Sequence, residues 1–205
     1  MRNLIVLFVL MSLSGCVGYQ TSPVGYGPNI SILGDTRTVV NGFLVLTAAS
    51  ESGVTYQWKV SEGVLLDVSN AKVLWKAPPY TGTCTLTVIG SKAGYSTVRK
   101  MTLEVVGDII EIQQVEVVDK DGGKELNVTM RNKTDKRITT VFSRIAGFNE
   151  DGDYLEYTNL HHGIRLDGNE VKTDKLYVSW KPEITRATGF VWKAYFEDGT
   201  LWSIE

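Results

Sequence analysis

The sequence predicts an all-β chain: two tandem antiparallel β-sandwiches that follow a secretory leader and a short flexible tether. Three observations predict it. Apolar residues recur at every second position over most of the chain. Turn residues rich in Gly, Asn and Asp interrupt that alternation roughly every ten positions, the mark of a sandwich of short strands. No segment sustains a helical apolar period for more than about two turns.

At the N-terminus, Met1 and Arg2 precede an apolar run from Leu4 to Leu13 that only Ser12 interrupts, and the segment closes on Ser14-Gly15-Cys16. A charged start, an apolar centre and a small-residue end form the layout of a secretory signal. As a helix that run spans about 15 Å, half of the roughly 30 Å hydrocarbon thickness, too short to cross a bilayer. The residues Leu13-Ser14-Gly15-Cys16 resemble the lipobox of bacterial lipoproteins. That resemblance implies that residues 1–15 are a lipoprotein signal peptide cleaved before Cys16, whose thiol takes a diacylglyceryl group. Two or more acyl chains, at about 0.8 kcal/mol per buried methylene, anchor a protein stably. The membrane is therefore an expected partner, through lipid. Val17-Gly18 follow the cysteine without the acidic residue that resembles an inner-membrane retention signal. The expected address is the bacterial cell envelope, the outer membrane in preference to the inner where both exist.

Charge and cysteine usage narrow the classes further. The full chain carries 21 basic and 23 acidic residues. Loss of the leader removes Arg2, leaving a net charge of about −3, which argues against nucleic acid because phosphate neutralisation dominates such binding. With Cys16 lipidated, Cys84 is the only remaining cysteine, so no intramolecular disulfide is expected and stability must come from packing.

Residues 16–28, the lipidated cysteine and a Gly- and Pro-rich stretch, read as the tether, averaging roughly 20 Å end to end. A first unit is expected over 29–106. Phe43-Leu44-Val45-Leu46-Thr47 precedes a turn at Glu51-Ser52-Gly53, and Tyr56, Trp58 and Val60 then alternate with polar neighbours. Val73 and Trp75 follow the same rule until Ala77-Pro78-Pro79 stops the strand. Cys84, Leu86 and Val88 share one face of a threonine-rich strand, and Met101, Leu103 and Val105 close the unit.

The segments Tyr56-Gln57-Trp58-Lys59, Val73-Leu74-Trp75-Lys76-Ala77-Pro78 and Gly82-Thr83-Cys84-Thr85-Leu86-Thr87-Val88 resemble bacterial immunoglobulin-like domains, including the PKD-like type. The resemblance covers about 80 residues and implies a sandwich that serves as stalk, spacer or adhesive module. Cys84 departs from it, since the family more often carries an aromatic residue there.

Gly107-Asp108 marks the junction to a second expected unit over 108–205. Ile110 to Val117, Leu126 to Met130, Ile138 to Phe148, Tyr154 to Tyr157, Glu170 to Trp180 and the pair Phe190 to Phe196 and Thr200 to Ile204 read as its strands. The last two are joined by Glu197-Asp198-Gly199, a strong hairpin signal. Lys181 to Thr188 reads as a short helix or an irregular crossover. Asn127 to Thr134 with Phe148-Asn149-Glu150-Asp151-Gly152 resembles small β-sandwich modules of bacterial surface lipoproteins.

Each chemical candidate has a plainer counterpart. His161-His162 lies in what reads as a solvated loop, and neighbours on extended backbone point to opposite sides, so they do not grip one metal together. Acidic turns at Asp119-Asp121, Glu150-Asp151-Asp153, Asp167 and Glu197-Asp198 contain the oxygens calcium needs, but none has the spacing of a calcium loop, and a self-stabilising hairpin turn is the preferred reading. Cys84 sits on a buried face with no activating cation near it in sequence. No catalytic, cofactor-binding or metal residue is assigned, and no cofactor is expected. Trp58 and Trp75 fit core positions, and Trp180, Trp192, Trp202, Tyr154, Tyr157 and Tyr177 crowd the second unit. Strict alternation over Phe190 to Glu197 puts Phe190, Trp192, Ala194 and Phe196 on one face and leaves Tyr195 outward, the candidate surface contact. An exposed aromatic stacks on sugar rings or anchors a protein. The expected function is a membrane-anchored, non-enzymatic binding or adhesion module with an envelope protein or glycan as partner. A structural accessory subunit of an envelope assembly is the alternative, and a hydrolase the third reading.

Overall fold

The computed structural model describes residues 27–69 and 71–204; the leader, Cys16 and most of the tether lie outside the described residues. The regular elements are strands: β1 (Ser31–Leu33), β2 (Arg37–Val39), β3 (Phe43–Ala49), β4 (Thr55–Val60), β5 (Val64–Ser69), β6 (Lys72–Lys76), β7 (Gly82–Lys92), β8 (Tyr95–Val106), β9 (Ile110–Lys120), β10 (Gly123–Asn132), β11 (Ile138–Phe148), β12 (Tyr154–His162), β13 (Val171–Val178), β14 (Arg186–Phe196) and β15 (Leu201–Ser203). No helix among the described residues is long and apolar enough to cross a membrane.

The strands form four sheets. Sheet I is β1-β3-β6-β5, sheet II is β2-β8-β7-β4, sheet III is β13-β10-β9 and sheet IV is β12-β11-β14-β15. Alternation decides what fills them. Leu44 and Leu46 of β3, Trp75 of β6, Leu86 and Val88 of β7 and Leu103 of β8 point between sheets I and II, where Trp58 and Cys84 are also buried. Leu126, Val128 and Met130 of β10, Val141 and Ile145 of β11 and Val191 and Ala194 of β14 do the same between sheets III and IV.

A third cluster joins the two halves. Val39, Phe43 and Leu74 from the first half pack on Ala146, Tyr154, Phe190 and Ile204 from the second, with the Phe43 and Phe190 rings edge to face at 5.1 Å. Sheet I is thus buried on both faces at β3 and β6. The unbroken apolar runs Phe43-Leu44-Val45-Leu46 and Val73-Leu74-Trp75 carry that information, because a strand covered on one side only shows alternation. Arg144 pairs with Asp35 at 3.0 Å and Lys72 lies over the Tyr154 ring at 5.1 Å, so charge also bridges the halves.

Four local features depart from simple alternation. First, the chain changes sheets at Gly34-Asp35-Thr36: β1 pairs with β3, whereas β2 pairs with β8 in parallel, the one parallel pairing among the described strands. Gly34, at φ 136°, has no room for a side chain, since a Cβ there would press on the Val45 carbonyl and the Leu46 side chain. Second, β5 was not expected, because its register slips between Leu65 and Asp67 and the slip destroys the period of two. Third, residues 179–185 form an irregular crossover with a turn from Ile184 N–H to the Lys181 carbonyl, the second of the two forms expected over Lys181 to Thr188, but β14 already begins at Arg186 and takes the last three of those residues. Fourth, Ala93-Gly94 closes the β7–β8 hairpin with φ of 50° and 83°. Two positive φ values define a type I′ turn, for which alanine is a poor first residue. Ala93→Asn is therefore expected to raise stability by about 0.5–1 kcal/mol, read as a higher urea midpoint with unchanged slope.

Candidate functional site

The outer face of sheet IV carries an aromatic patch built by three adjacent strands. In β11, Val141, Ser143 and Ile145 turn inward, which sends Phe142 and Arg144 outward. β12 places His161 opposite Phe142, and β14 places Lys193 opposite it on the other side. Phe142 and His161 stack at 4.8 Å with planes 14° apart; Trp192 lies 5.6 Å and Tyr195 6.2 Å from the same Phe142 ring. The Lys193 ammonium sits over Phe142, Trp192 and Tyr195 at 5.6, 6.0 and 5.3 Å from the ring centroids. Each such contact is worth about 0.5–1 kcal/mol at an exposed site, so Lys193 holds the rings in place and lends the patch positive charge.

A β-bulge makes this patch. Ser143 pairs with Val191 and Phe142 with Lys193, leaving Trp192 as the extra residue. Val191 and Ala194 both face the core, three positions apart, and Trp192, Lys193 and Tyr195 all stay out. Strict alternation had joined Trp192 to Ala194 and Lys193 to Val191. The extra residue breaks that count and corrects both assignments, while Tyr195 remains on the outer face, partly exposed.

Trp192 continues the patch into a cleft of about 420 Å³ between the halves, lined by the apolar Phe190, Trp192 and Ile204 and by the charged rim residues Asp35, Arg37 and Arg144. Every charge on the rim is compensated. Arg144 donates to Asp35 and, through Nε, to Asn159 at 3.0 Å; Arg37 pairs with Glu104 at 3.2 Å. The Trp192 indole N–H is buried with no acceptor.

His162 corrects the loop reading of His161-His162. Both lie on β12, and His162 is fully buried on the inner face. Burial pushes its imidazole below the ordinary value of 6.5 despite the opposing effect of Asp174. The neutral ring donates from Nδ1 to Asp174 at 2.9 Å and accepts at Nε2 from the Ser143 hydroxyl at 2.7 Å. Spacing along the chain hides this Ser–His–Asp chain, since its members come from β11, β12 and β13. A serine nucleophile must meet its substrate, and the Ser143 side chain is wholly enclosed in the sandwich. The arrangement satisfies buried polar groups.

Most carboxylates of the acidic turns already have protein partners. Asp198 accepts from the Thr200 N–H at 2.9 Å and hydroxyl at 2.5 Å and pairs with Lys136, which together hold its carboxyl well below the usual range. Asn149 and Asp153 close their own turn, Asp119 pairs with Lys124, and Arg137 bridges Asp167 and Glu197. Among the described residues no three His, Cys, Asp or Glu side chains converge as metal ligands would. Cys84 is buried in the first core, where burial pushes its thiol up, the opposite of activation.

No protein-family model matches the chain, and no curated protein matches it. Among solved structures it is similar to one described as showing the structural basis for the promiscuous specificity of carbohydrate-binding modules from the β-sandwich superfamily. That match has a TM-score of 0.36 and 12% identity, and covers 88% of this chain and 96% of that one. A likeness at that level leaves function open.

Proposed function

We propose that this chain is a bacterial envelope lipoprotein, anchored through lipid on Cys16, that acts as a non-enzymatic binding module for a glycan. Units over 29–106 and 108–205 then divide the work, the first as support and the second as reader. The observation that carries this reading is the patch of Phe142, His161, Trp192 and Tyr195 under Lys193. A sugar ring has an apolar C–H face that stacks on such rings, and a nearby cation suits its oxygens. The expected result is glycan-array binding that Tyr195→Ala weakens at least tenfold, roughly 1.4 kcal/mol, with an unchanged circular dichroism spectrum. Array binding unaffected by Tyr195→Ala overturns the reading. Intact mass of the native protein checks the anchor: the expected species starts at a diacylated Cys16.

One observation favours the alternative, an accessory subunit of an envelope assembly. Edge strand β5 exposes Val64 and Val68 at 56% and 50%, an apolar edge to which another chain can add a strand. A stoichiometric partner recovered from solubilised membranes and lost on Val68→Asp supports that reading over the first.

A further inference from the structure

We infer that the cleft between the halves is a second site that takes one neutral pyranose unit, an inference that rests on the glycan reading above. The cleft, at about 420 Å³, falls in the range of roughly 300–1,000 Å³ typical of small-molecule sites. Its apolar lining is Phe190, Trp192 and Ile204, of which the half-buried Trp192 offers most of the surface that the C–H face of a sugar ring can meet. Its rim mixes an acceptor, Asp35, with donors, Arg37 and Arg144, the pattern that vicinal hydroxyls satisfy because each hydroxyl both donates and accepts.

The charge balance selects the ligand class. Arg144 already faces Asp35 at 3.0 Å and Arg37 faces Glu104 at 3.2 Å, so each arginine on the rim already has a carboxylate partner. An anion would have to displace an existing partner, whereas a neutral polyhydroxyl ring adds hydrogen bonds while both pairs persist. Trp192 ties the cleft to the outer patch, since the same indole lines one and meets Phe142 in the other at 5.6 Å. A glycan chain lying across the outer face of sheet IV therefore has a terminal residue within reach of the cleft.

The test titrates the full chain with methyl α-glucopyranoside, methyl β-galactopyranoside and methyl β-N-acetylglucosaminide, with glucuronate and adenosine as charged and heteroaromatic controls. Tryptophan fluorescence and saturation-transfer NMR are the readouts. The expected result is saturation by at least one neutral pyranoside below about 10 mM. Asp35→Asn, a change on an exposed rim side chain, is expected to weaken that binding about tenfold or more, and Tyr195→Ala less than about twofold. The inference is overturned by no saturation with any neutral pyranoside, by tenfold tighter binding of glucuronate or adenosine, or by wild-type affinity in Asp35→Asn. The two readings fail separately. Array binding that needs Tyr195 while no pyranoside saturates overturns the cleft alone, and pyranoside binding that needs Asp35 while array binding ignores Tyr195 overturns the patch alone.

Discussion

Replacing Phe190 by alanine is expected to lower stability by about 3–5 kcal/mol, the cost of deleting a buried ring and leaving a cavity that its surroundings fill only partly. Phe190 is 4% exposed at the centre of the cluster that joins the halves. Its ring meets Phe43 edge to face at 5.1 Å, and a double-mutant cycle with Phe43→Ala should show coupling of about 0.5–1.5 kcal/mol. Urea unfolding checks both numbers. A second signature follows from position: with the cluster hollowed, Gly107-Asp108 between β8 and β9 should become the first site of limited proteolysis. A loss below about 1 kcal/mol with unchanged proteolysis would mean that the halves are held by other contacts.

Replacing His162 by leucine is expected to cost about 2–3 kcal/mol even though the volume is nearly kept. Leucine leaves the Ser143 hydroxyl enclosed without its acceptor at 2.7 Å and takes the imidazole partner from Asp174. Adding Ser143→Ala should recover about 1 kcal/mol, because removing both members of a buried pair is cheaper than removing one. The wild type should also show a pH signature. Burial sets the folded His162 below the 6.5 of the unfolded chain, so its contribution is complete above pH 6.5. As pH falls below 6.5, the unfolded state takes a proton that the folded state refuses, and stability declines by at most about 1.4 kcal/mol per pH unit from this group. Urea midpoints at pH 7.5 and 5.5 should therefore differ in the wild type and differ less in His162→Leu. Equal slopes in the two proteins would remove His162 as the cause.

Much of the architecture is written locally. β11 occupies Ile138–Phe148, as expected from its run of β-branched and aromatic residues, and the alternation of Leu126, Val128 and Met130 places all three in the core. Asp198-Gly199 turns where a hairpin signal stood, with Gly199 at φ 81°. These features depend on residues adjacent or two apart, and neighbours decide backbone conformation and face. β5 escaped because a bulge changes the count within a strand, and the Trp192 bulge moved side chains between faces for the same reason.

The candidate site depended on pairing across strands. Tyr195 stands out by alternation alone, but Phe142 becomes its neighbour, and His161 the neighbour of Phe142, only through register between β11, β12 and β14, whose residues lie 19 to 53 positions apart. Likewise His162 lies 19 residues from Ser143 and 12 from Asp174, and only sheet packing made it a buried hydrogen-bonded ring. The amino-acid order settles where most strands and turns fall, since that preference is local and summed over few residues. Which strands lie side by side is a non-local balance of burial against chain entropy, and it was the folded arrangement that assembled the aromatic patch, the cleft and the contact between halves.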